Sequence, residues 1–223
     1  NDRMQIQVTA MGAWDVTDGF NGLIVLPADP VSGNPIPAPL VMRYTPQANL
    51  GDMYLGNALL QRDDGPIRWF VSLAANSSKP DDVTTPFGGM FSDPFETPEN
   101  QTGWSAYVGL RAAVGQKDYL GLEYNHGSEY WFNFTQAADD IVGSKLATRG
   151  DVVEGFWLHE FVEGLGRAKI KLRLSAMFYD FKYSGSGWQV GAPKELGGDE
   201  VPILGFPTYD DAFDFRAALL LKF

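Results

Sequence analysis

The side chains in this sequence that are best suited to bind charged ligands are charged residues at every second position of apolar segments. Lys169, Lys171 and Arg173 alternate with aliphatic side chains in one segment, and Asp214 and Arg216 alternate with apolar residues near the end of the chain. Residues at positions i and i+2 lie on one face of a β-strand, so each segment has a charged face and an apolar face. Basic side chains gathered on one face attract and guide anions. The set chosen on this criterion is Arg68, Arg111, Lys169, Lys171, Arg173, Arg216 and Lys222, with Asp15, Glu123 and Asp214 as the accompanying acids.

The two histidines of the chain give only a weak indication of a hydrolytic site. His126 has Ser128 and Glu123 near it in sequence, which are the residue types of a serine hydrolase triad. Along one strand, however, residues 126 and 128 share a face while residue 123 lies on the other, and no nucleophile elbow surrounds Ser128. His159 and Glu160 are adjacent and therefore point to opposite faces. We expect no enzymatic activity, and a hydrolase centred on His126 is the second alternative.

The elements that must position these residues are predicted to be β-strands, because apolar and polar residues alternate with a period of two. A helix would scatter the same apolar residues around its axis. The alternation predicts about eight strands, most of about ten residues or slightly more, the length that a tilted strand needs to cross a hydrocarbon layer. It is clear in residues 4–16, 67–76, 104–114, 168–178 and 213–223, and blurred in residues 52–62, 118–131 and 149–162.

Short and long connections alternate along the chain, as in outer-membrane barrels with short periplasmic turns and long extracellular loops. The short ones have the glycine-containing chemistry of tight hairpins. The predicted fold class is therefore all-β: an antiparallel, up-and-down transmembrane β-barrel, formed by residues 1–223 as a single domain in the bacterial outer membrane, with both termini in the periplasm. The short connections are residues 63–65, 115–117 and 163–167, and the long ones are 17–51, 77–101, 132–148 and 184–211.

Aromatic residues near the predicted strand ends agree with a membrane location, because amphipathic rings favour the bilayer interface. The chain also stops at Phe223, which resembles the terminal aromatic residue of proteins in the bacterial outer membrane. A soluble antiparallel sandwich or lipocalin-like barrel is the alternative fold, since its strands alternate too. The aromatic residues in question are Trp14, Tyr130, Trp131, Phe178, Tyr179 and Phe181.

Composition sets aside several classes of protein. The formal charge of −11 over 223 residues disfavours a nucleic-acid partner, which requires a basic surface. No stretch approaches the roughly 20 apolar residues of a transmembrane helix. The chain has no cysteine, so disulfides and thiolate metal sites are excluded, and its acidic loops lack the spacing of an EF-hand. We predict neither a cofactor nor a metal. Residues 1–4 lack the regions of a secretory signal, so the sequence is expected to be mature or cut from a longer one.

Several segments resemble an uncharacterised family of proteobacterial outer-membrane, porin-like proteins. The segment GLEYNHGSEYWF at residues 121–132, with residues 138–140, 145–151 and 183–188, carries the resemblance, which is strongest over residues 118–190. It covers about a third of the chain. It implies an outer-membrane β-barrel and, because members of that family are longer, it implies that this chain is the C-terminal part of a larger barrel. It implies no catalytic residue, substrate or cofactor.

The width of the barrel decides between two functions. A wide barrel leaves an open lumen, whereas about eight strands close around an interior that side chains fill. We favour a porin-like channel for passive diffusion of small charged solutes. The residues expected to line its lumen are Arg68, Arg111, Glu123, Lys169, Lys171, Arg173, Asp214 and Arg216, and Asp15 and Lys222 are expected to point inward as well. The first alternative is a non-conducting barrel that serves as an anchor or as a sleeve for a partner protein, such as an electron-transfer complex. The expected partners are the lipid bilayer and small solutes, with a homo-oligomer or a periplasmic or extracellular protein left open.

The sequence leaves three roles open for two apolar loop segments. Residues 86–91 and 203–207 would narrow the lumen, pack on a partner, or be buried within their own folded loops.

Overall fold

The fold is described from a computed structural model of the chain, which defines residues 3–18, 22–28, 35–44, 48–85, 87–134, 142–161, 169–197 and 209–222. Residues 22–28, 35–44, 169 and 222 are described by their backbone only. Within these ranges no helix has the length and apolar character needed to cross a membrane. The helical element found there is a 3₁₀ turn at Lys145–Ala147.

Eight strands form one antiparallel sheet in which neighbours in sequence are neighbours in space. Their bounds are β1 Met4–Ala13, β4 Gly51–Asp63, β5 Ile67–Pro80, β6 Thr102–Ala113, β7 Asp118–Gly127, β8 Gly150–Glu160, β9 Lys169–Phe181 and β10 Asp211–Lys222, while β2 Gly22–Ala28 and β3 Pro35–Tyr44 pair in a separate hairpin. The sheet order is β1-β4-β5-β6-β7-β8-β9-β10. The prediction of an all-β fold with about eight antiparallel, up-and-down strands is confirmed. The hairpin of β2 and β3 lies within the first long connection.

Alternation divides this sheet into an outer face and an inner face with opposite chemistry. On the outer face one row of large apolar side chains crosses the strands from β6 to β10, and each of its members is at least 36% exposed. The inner face carries charged and polar side chains, together with apolar ones that pack beneath the long loops or lie near the short connections. The outer row consists of Val108, Tyr124, Val153, Phe178 and Phe213, and the neighbouring inner row consists of Tyr107, Asn125, Val152, Tyr179 and Ala212.

The sheet curls around a cavity of about 630 Å³ that residues from all eight strands line. Gln5 of β1 and Leu220 of β10 line the same cavity, although these two strands are the unpaired edges of the sheet. The sheet is therefore curved toward its inner face but open between β1 and β10. Because the strands alternate in direction, these two edges run antiparallel to each other.

The two ends of the curled sheet differ in how deeply their inner-face side chains are buried. At the end with the short connections, here called the turn end, the inner face opens into the cavity. At the opposite end, the loop end, inner-face residues pack beneath the long loops. Two apolar clusters form there: one of Leu50, Met53, Met90, Phe91 and Phe132, and one of Val152, Met177 and Tyr179.

Three expectations about individual residues were wrong. β1 ends at Ala13 because Asp15 adopts a positive φ of 54° and its carboxylate accepts a hydrogen bond from Asn49 at 2.6 Å, so Asp15 does not point inward from a strand. β7 ends at Gly127 because the chain turns there, with the Trp131 N–H donating to the Ser128 carbonyl. Trp131 is consequently buried beneath the loops and does not face a membrane interface.

Tyr179 is the fourth correction, since it lies on the inner face and is 1% exposed. Its neighbour Phe178 lies on the outer face and is 47% exposed. Among the apolar loop segments, Met90 and Phe91 are buried in the loop-end cluster. Residues 203–207 lie outside the described residues.

Candidate functional site

Seven of the sequence-predicted charged residues lie on the inner face. Arg68 and Arg111 lie at the turn end, and Arg68 on β5 is directly opposite Arg111 on β6. Glu123, Lys171, Arg173, Asp214 and Arg216 occupy the same face on β7, β9 and β10. The side chains of Lys169 and Lys222 lie outside the described ones. Their role in lining a permeation path stays a prediction.

The cavity at the turn end has an aromatic wall that is built on glycines. The Phe70 ring lies over Gly109, its direct cross-strand partner, and the Phe156 ring lies over Gly121 in the same way. A Cβ atom at Gly121 would meet the Phe156 ring at 2.1 Å, so only glycine allows the ring to lie flat on the sheet. Glycine in a strand often marks such a close approach. Both rings therefore stay against the wall, and the Arg173 guanidinium lies over the Phe156 ring, with 4.1 Å from Cζ to the ring centroid.

Basic side chains dominate the rim of this cavity. Most of them are paired with a carboxylate, but Arg3 and Arg111 form no ion pair with any described residue. Arg111 instead lies over the Tyr119 ring, with 5.0 Å from Cζ to the ring centroid. The cavity thus carries an excess of positive charge on a chain whose net charge is −11. Its basic members are Arg3, Arg62, Arg68, Arg111, Lys171 and Arg173, and its acids are Asp63 and Glu123.

A loop lysine marks the boundary between this cavity and the packed loop end. Glu123 on β7 and Glu154 on β8 are directly opposite each other on the inner face. Lys145, from the connection between these strands, reaches over the sheet and donates to both carboxylates, at 2.5 Å in the case of Glu154. Tyr107 also donates to Glu123, and Arg173 lies 2.7 Å from Glu154. The lysine therefore separates two carboxylates that would otherwise repel each other.

The charge of Lys145 is retained over a wide range of pH. Burial disfavours the ammonium ion, but the hydrogen bonds from Lys145 to Glu123 and Glu154 outweigh that effect, and the pKa of Lys145 is raised above its ordinary value of 10.5. A folded-state pKa above the unfolded value means that the stabilisation is fully present below pH 10.5 and is lost only as the pH rises through the folded value. The contact is therefore constant at neutral pH.

Inner-face amides hold the same loop against the sheet. The Asn125 side-chain amide donates to the Lys145 carbonyl at 2.7 Å, and its oxygen accepts from the Ser105 hydroxyl. The Trp131 indole N–H donates to the Leu146 carbonyl at 2.7 Å. Buried amides satisfied on both sides fix a backbone in place. These hydrogen bonds hold the loop, of which residues 128–134 and 142–149 are described, in one position against the inner face of the sheet.

Arg149 joins the inward loop to the other loops. It is 1% exposed, and its guanidinium donates to the carbonyls of Trp131, Ser184 and Trp188 at 2.7–3.1 Å. Its Cζ also lies 5.4 Å from the centroid of the Phe91 ring. Burial lowers the pKa of Arg149 to about 10, which leaves it charged at neutral pH. One cation therefore connects the β5–β6, β7–β8 and β9–β10 connections.

The two histidines lie on the outer face at opposite ends of the sheet. His126 Nδ1 is 2.9 Å from Asp151 and its ring lies 4.8 Å from the Trp104 ring. Ser128 accepts a hydrogen bond from the Trp104 backbone, and Glu123 lies on the other face, so the residues of the hydrolase alternative are not brought together.

The second histidine has a matching environment near the turn end. His159 Nδ1 is 2.8 Å from Asp118, and its ring packs between those of Trp157 and Phe161. Each histidine thus belongs to an aromatic cluster at one end of the apolar outer face.

Sequence reasoning missed Lys145, Tyr107 and Arg149. Lys145 and Arg149 fall in or beside a long connection, where alternation gives no information about direction. The only available signal was that both are cations within a segment of the family resemblance, and this did not distinguish them from solvated loop charges.

A comparison with known protein families identifies the family of this chain. One family model, described as a protein of unknown function (DUF3373), matches residues 1–223. The chain belongs to this family. No curated protein and no solved structure matches it significantly.

Proposed function

We propose that this chain forms a porin-like channel of the bacterial outer membrane, through which small charged solutes diffuse passively. The observation that carries the proposal is the inverted polarity of the sheet: its exposed outer face is apolar, and its inner face holds the charges. A soluble protein buries the apolar side of a sheet. A barrel in a bilayer exposes it to lipid and keeps polar residues inside.

The height of the apolar band supports a bilayer location. On β7 the outer residues from Asp118 to His126 are Asp118, Leu120, Leu122, Tyr124 and His126. Eight residue steps span about 26 Å along a strand. A tilt of about 40° reduces this to about 20 Å of height, comparable with the band of about 25 Å in outer-membrane barrels. The His–Asp pairs and their aromatic neighbours lie at the two edges of that band.

The inward-folded loop supports a channel with a constriction. Lys145 reaches the middle of the inner face, where it meets Glu123, Glu154 and Arg173. A lumen narrowed by opposed charges selects solutes by size and charge. The termini and the short connections then lie on the periplasmic side.

The channel is tested by planar-bilayer recording of the purified, refolded chain. We expect discrete conductance steps that increase with salt concentration. A folded, inserted protein that produces no steps in any salt would overturn the proposal.

One observation favours a second candidate, a non-conducting barrel that acts as an anchor or sleeve. The loop-end cluster around Leu50, Met90 and Phe91 fills part of the inner face with apolar side chains. Silence in the bilayer together with a stable fold would favour this function, and a partner protein would then be sought by co-purification.

A further inference from the structure

We propose that the cavity at the turn end is a binding site for small organic acids, in which Arg111 holds the carboxylate. The proposal rests on the channel function for its biological role, since the site would lie on the permeation path, but the binding itself does not require conductance.

The pairing of two arginines is the first observation. Arg68 and Arg111 are directly opposite on neighbouring strands, and like charges in that position destabilise a sheet. Asp63 lies 2.5 Å from Arg68 and offsets one of the charges. Arg111 has no carboxylate partner among the described residues, so one guanidinium remains available to an anion.

The shape of the guanidinium favours a carboxylate. Its fork of N–H donors matches the two oxygens of a carboxylate or phosphate group. The Tyr119 ring holds the Arg111 guanidinium by a cation–π contact, and none of the described residues forms an ion pair with Arg111. Arg3, which also has no ion-pair partner among the described residues, adds a second cation at the same cavity.

The remaining walls accept an apolar body. Phe70 lies against Gly109, and Leu158 and Leu220 also line the cavity. Phe156 lies against Gly121 and is covered on its other side by the Arg173 guanidinium, so it contributes its ring edge. Its volume of about 630 Å³ is in the range of small-molecule sites, which combine apolar walls with a few placed polar groups. The site therefore fits an acid with an aromatic or aliphatic body better than a bare inorganic ion.

Calorimetric titration of the full chain in detergent tests this directly, with benzoate, its neutral isostere benzamide, and inorganic phosphate as probes. We expect benzoate to bind more tightly than benzamide and phosphate. Equal dissociation constants for benzoate and benzamide would remove the role of Arg111, and tighter binding of phosphate than of benzoate would remove the role of the apolar walls.

Variants at Arg111 separate a binding role from a structural one. Arg111→Gln is expected to weaken benzoate binding about tenfold or more, because a charge-assisted hydrogen bond is lost. The affinity of Arg111→Lys for benzoate is expected to lie between those of the wild-type chain and Arg111→Gln, because lysine keeps the charge but lacks the planar fork of donors. Lys182→Gln changes an exposed cation that pairs with Asp180 at the other end of the sheet, and it serves as the matched control.

Thermal unfolding of the same variants gives the second readout. Because Arg111→Gln relieves repulsion from Arg68, we expect its unfolding temperature to be at least that of the wild-type chain. Lower stability with unchanged benzoate binding would show that Arg111 is structural and would overturn the proposal. Benzoate binding without conductance would leave the site in place and reject the channel, whereas conductance without binding would do the reverse.

Discussion

Lys145→Gln is expected to destabilise the folded chain by about 3 kcal/mol and to shift the channel toward cations. Glu123 and Glu154 are opposite each other, and Lys145 contacts both. Removing one partner from a largely buried ionic group costs about 3–5 kcal/mol, and the partial exposure of Lys145 places this site at the low end. Glu154 would keep Arg173 and Glu123 would keep the Tyr107 hydroxyl, but the two carboxylates would share one cation fewer, and the resulting negative charge would attract cations to the constriction. Denaturant unfolding and the reversal potential in a salt gradient measure the two effects.

A second substitution distinguishes repulsion from simple loss of a contact. In the double variant Lys145→Gln with Glu123→Gln, only one carboxylate remains, so we expect most of the stability and the original selectivity to return. Lys194→Gln is the control, because Lys194 is a loop lysine that contacts the single carboxylate Asp93. If the double variant were as unstable as Lys145→Gln, repulsion between the two glutamates would not be the cause.

Arg149→Met is expected to open the loop end at a cost of about 4 kcal/mol. Three carbonyl groups, those of Trp131, Ser184 and Trp188, lose their donor together. Arg149→Lys should recover little, because an ammonium group cannot reproduce the planar fork. Limited proteolysis of the chain in vesicles measures the effect as faster cleavage in residues 128–134 and 184–188, with the strands still protected.

Lys182→Met is the matched control for this experiment, since Lys182 is an exposed cation beyond the end of β9. Unchanged cleavage rates in Arg149→Met would mean that the loops are held by their apolar clusters alone. A larger single-channel conductance in Arg149→Met would show that the loops held by Arg149 limit the width of the channel.

The strands could be predicted from the sequence because alternation is a local property. Val8 with Gln7, or Leu174 with Arg173, gives the face of a strand without knowledge of any neighbour. The alternation of apolar and polar residues is blurred in β8 for a physical reason. Its inner face carries Val152 and Phe156, which pack beneath a loop and over a glycine, so apolar residues occur on both faces of the strand.

The candidate site could be predicted only in part. Arg68 and Arg111 follow from alternation, but the fact that they are directly opposite each other depends on the register between β5 and β6. The contacts of Lys145 depend on a loop that turns back over the sheet, and this is a tertiary event without a local signal. The open edge between β1 and β10 depends on the curvature of the whole sheet.

We expect the outer face of the sheet to contact lipid and the inner face to contact water. The chain has no cysteine, so single cysteines on β4 can report on each position separately. We expect fluorophores at Gly56, Ala58 and Leu60 to be quenched by lipid-borne nitroxide, and cysteines at Asn57 and Gln61 to react with a charged, water-soluble thiol reagent. Uniform reaction with the water-soluble reagent at all five positions, without quenching from the lipid, would contradict the account.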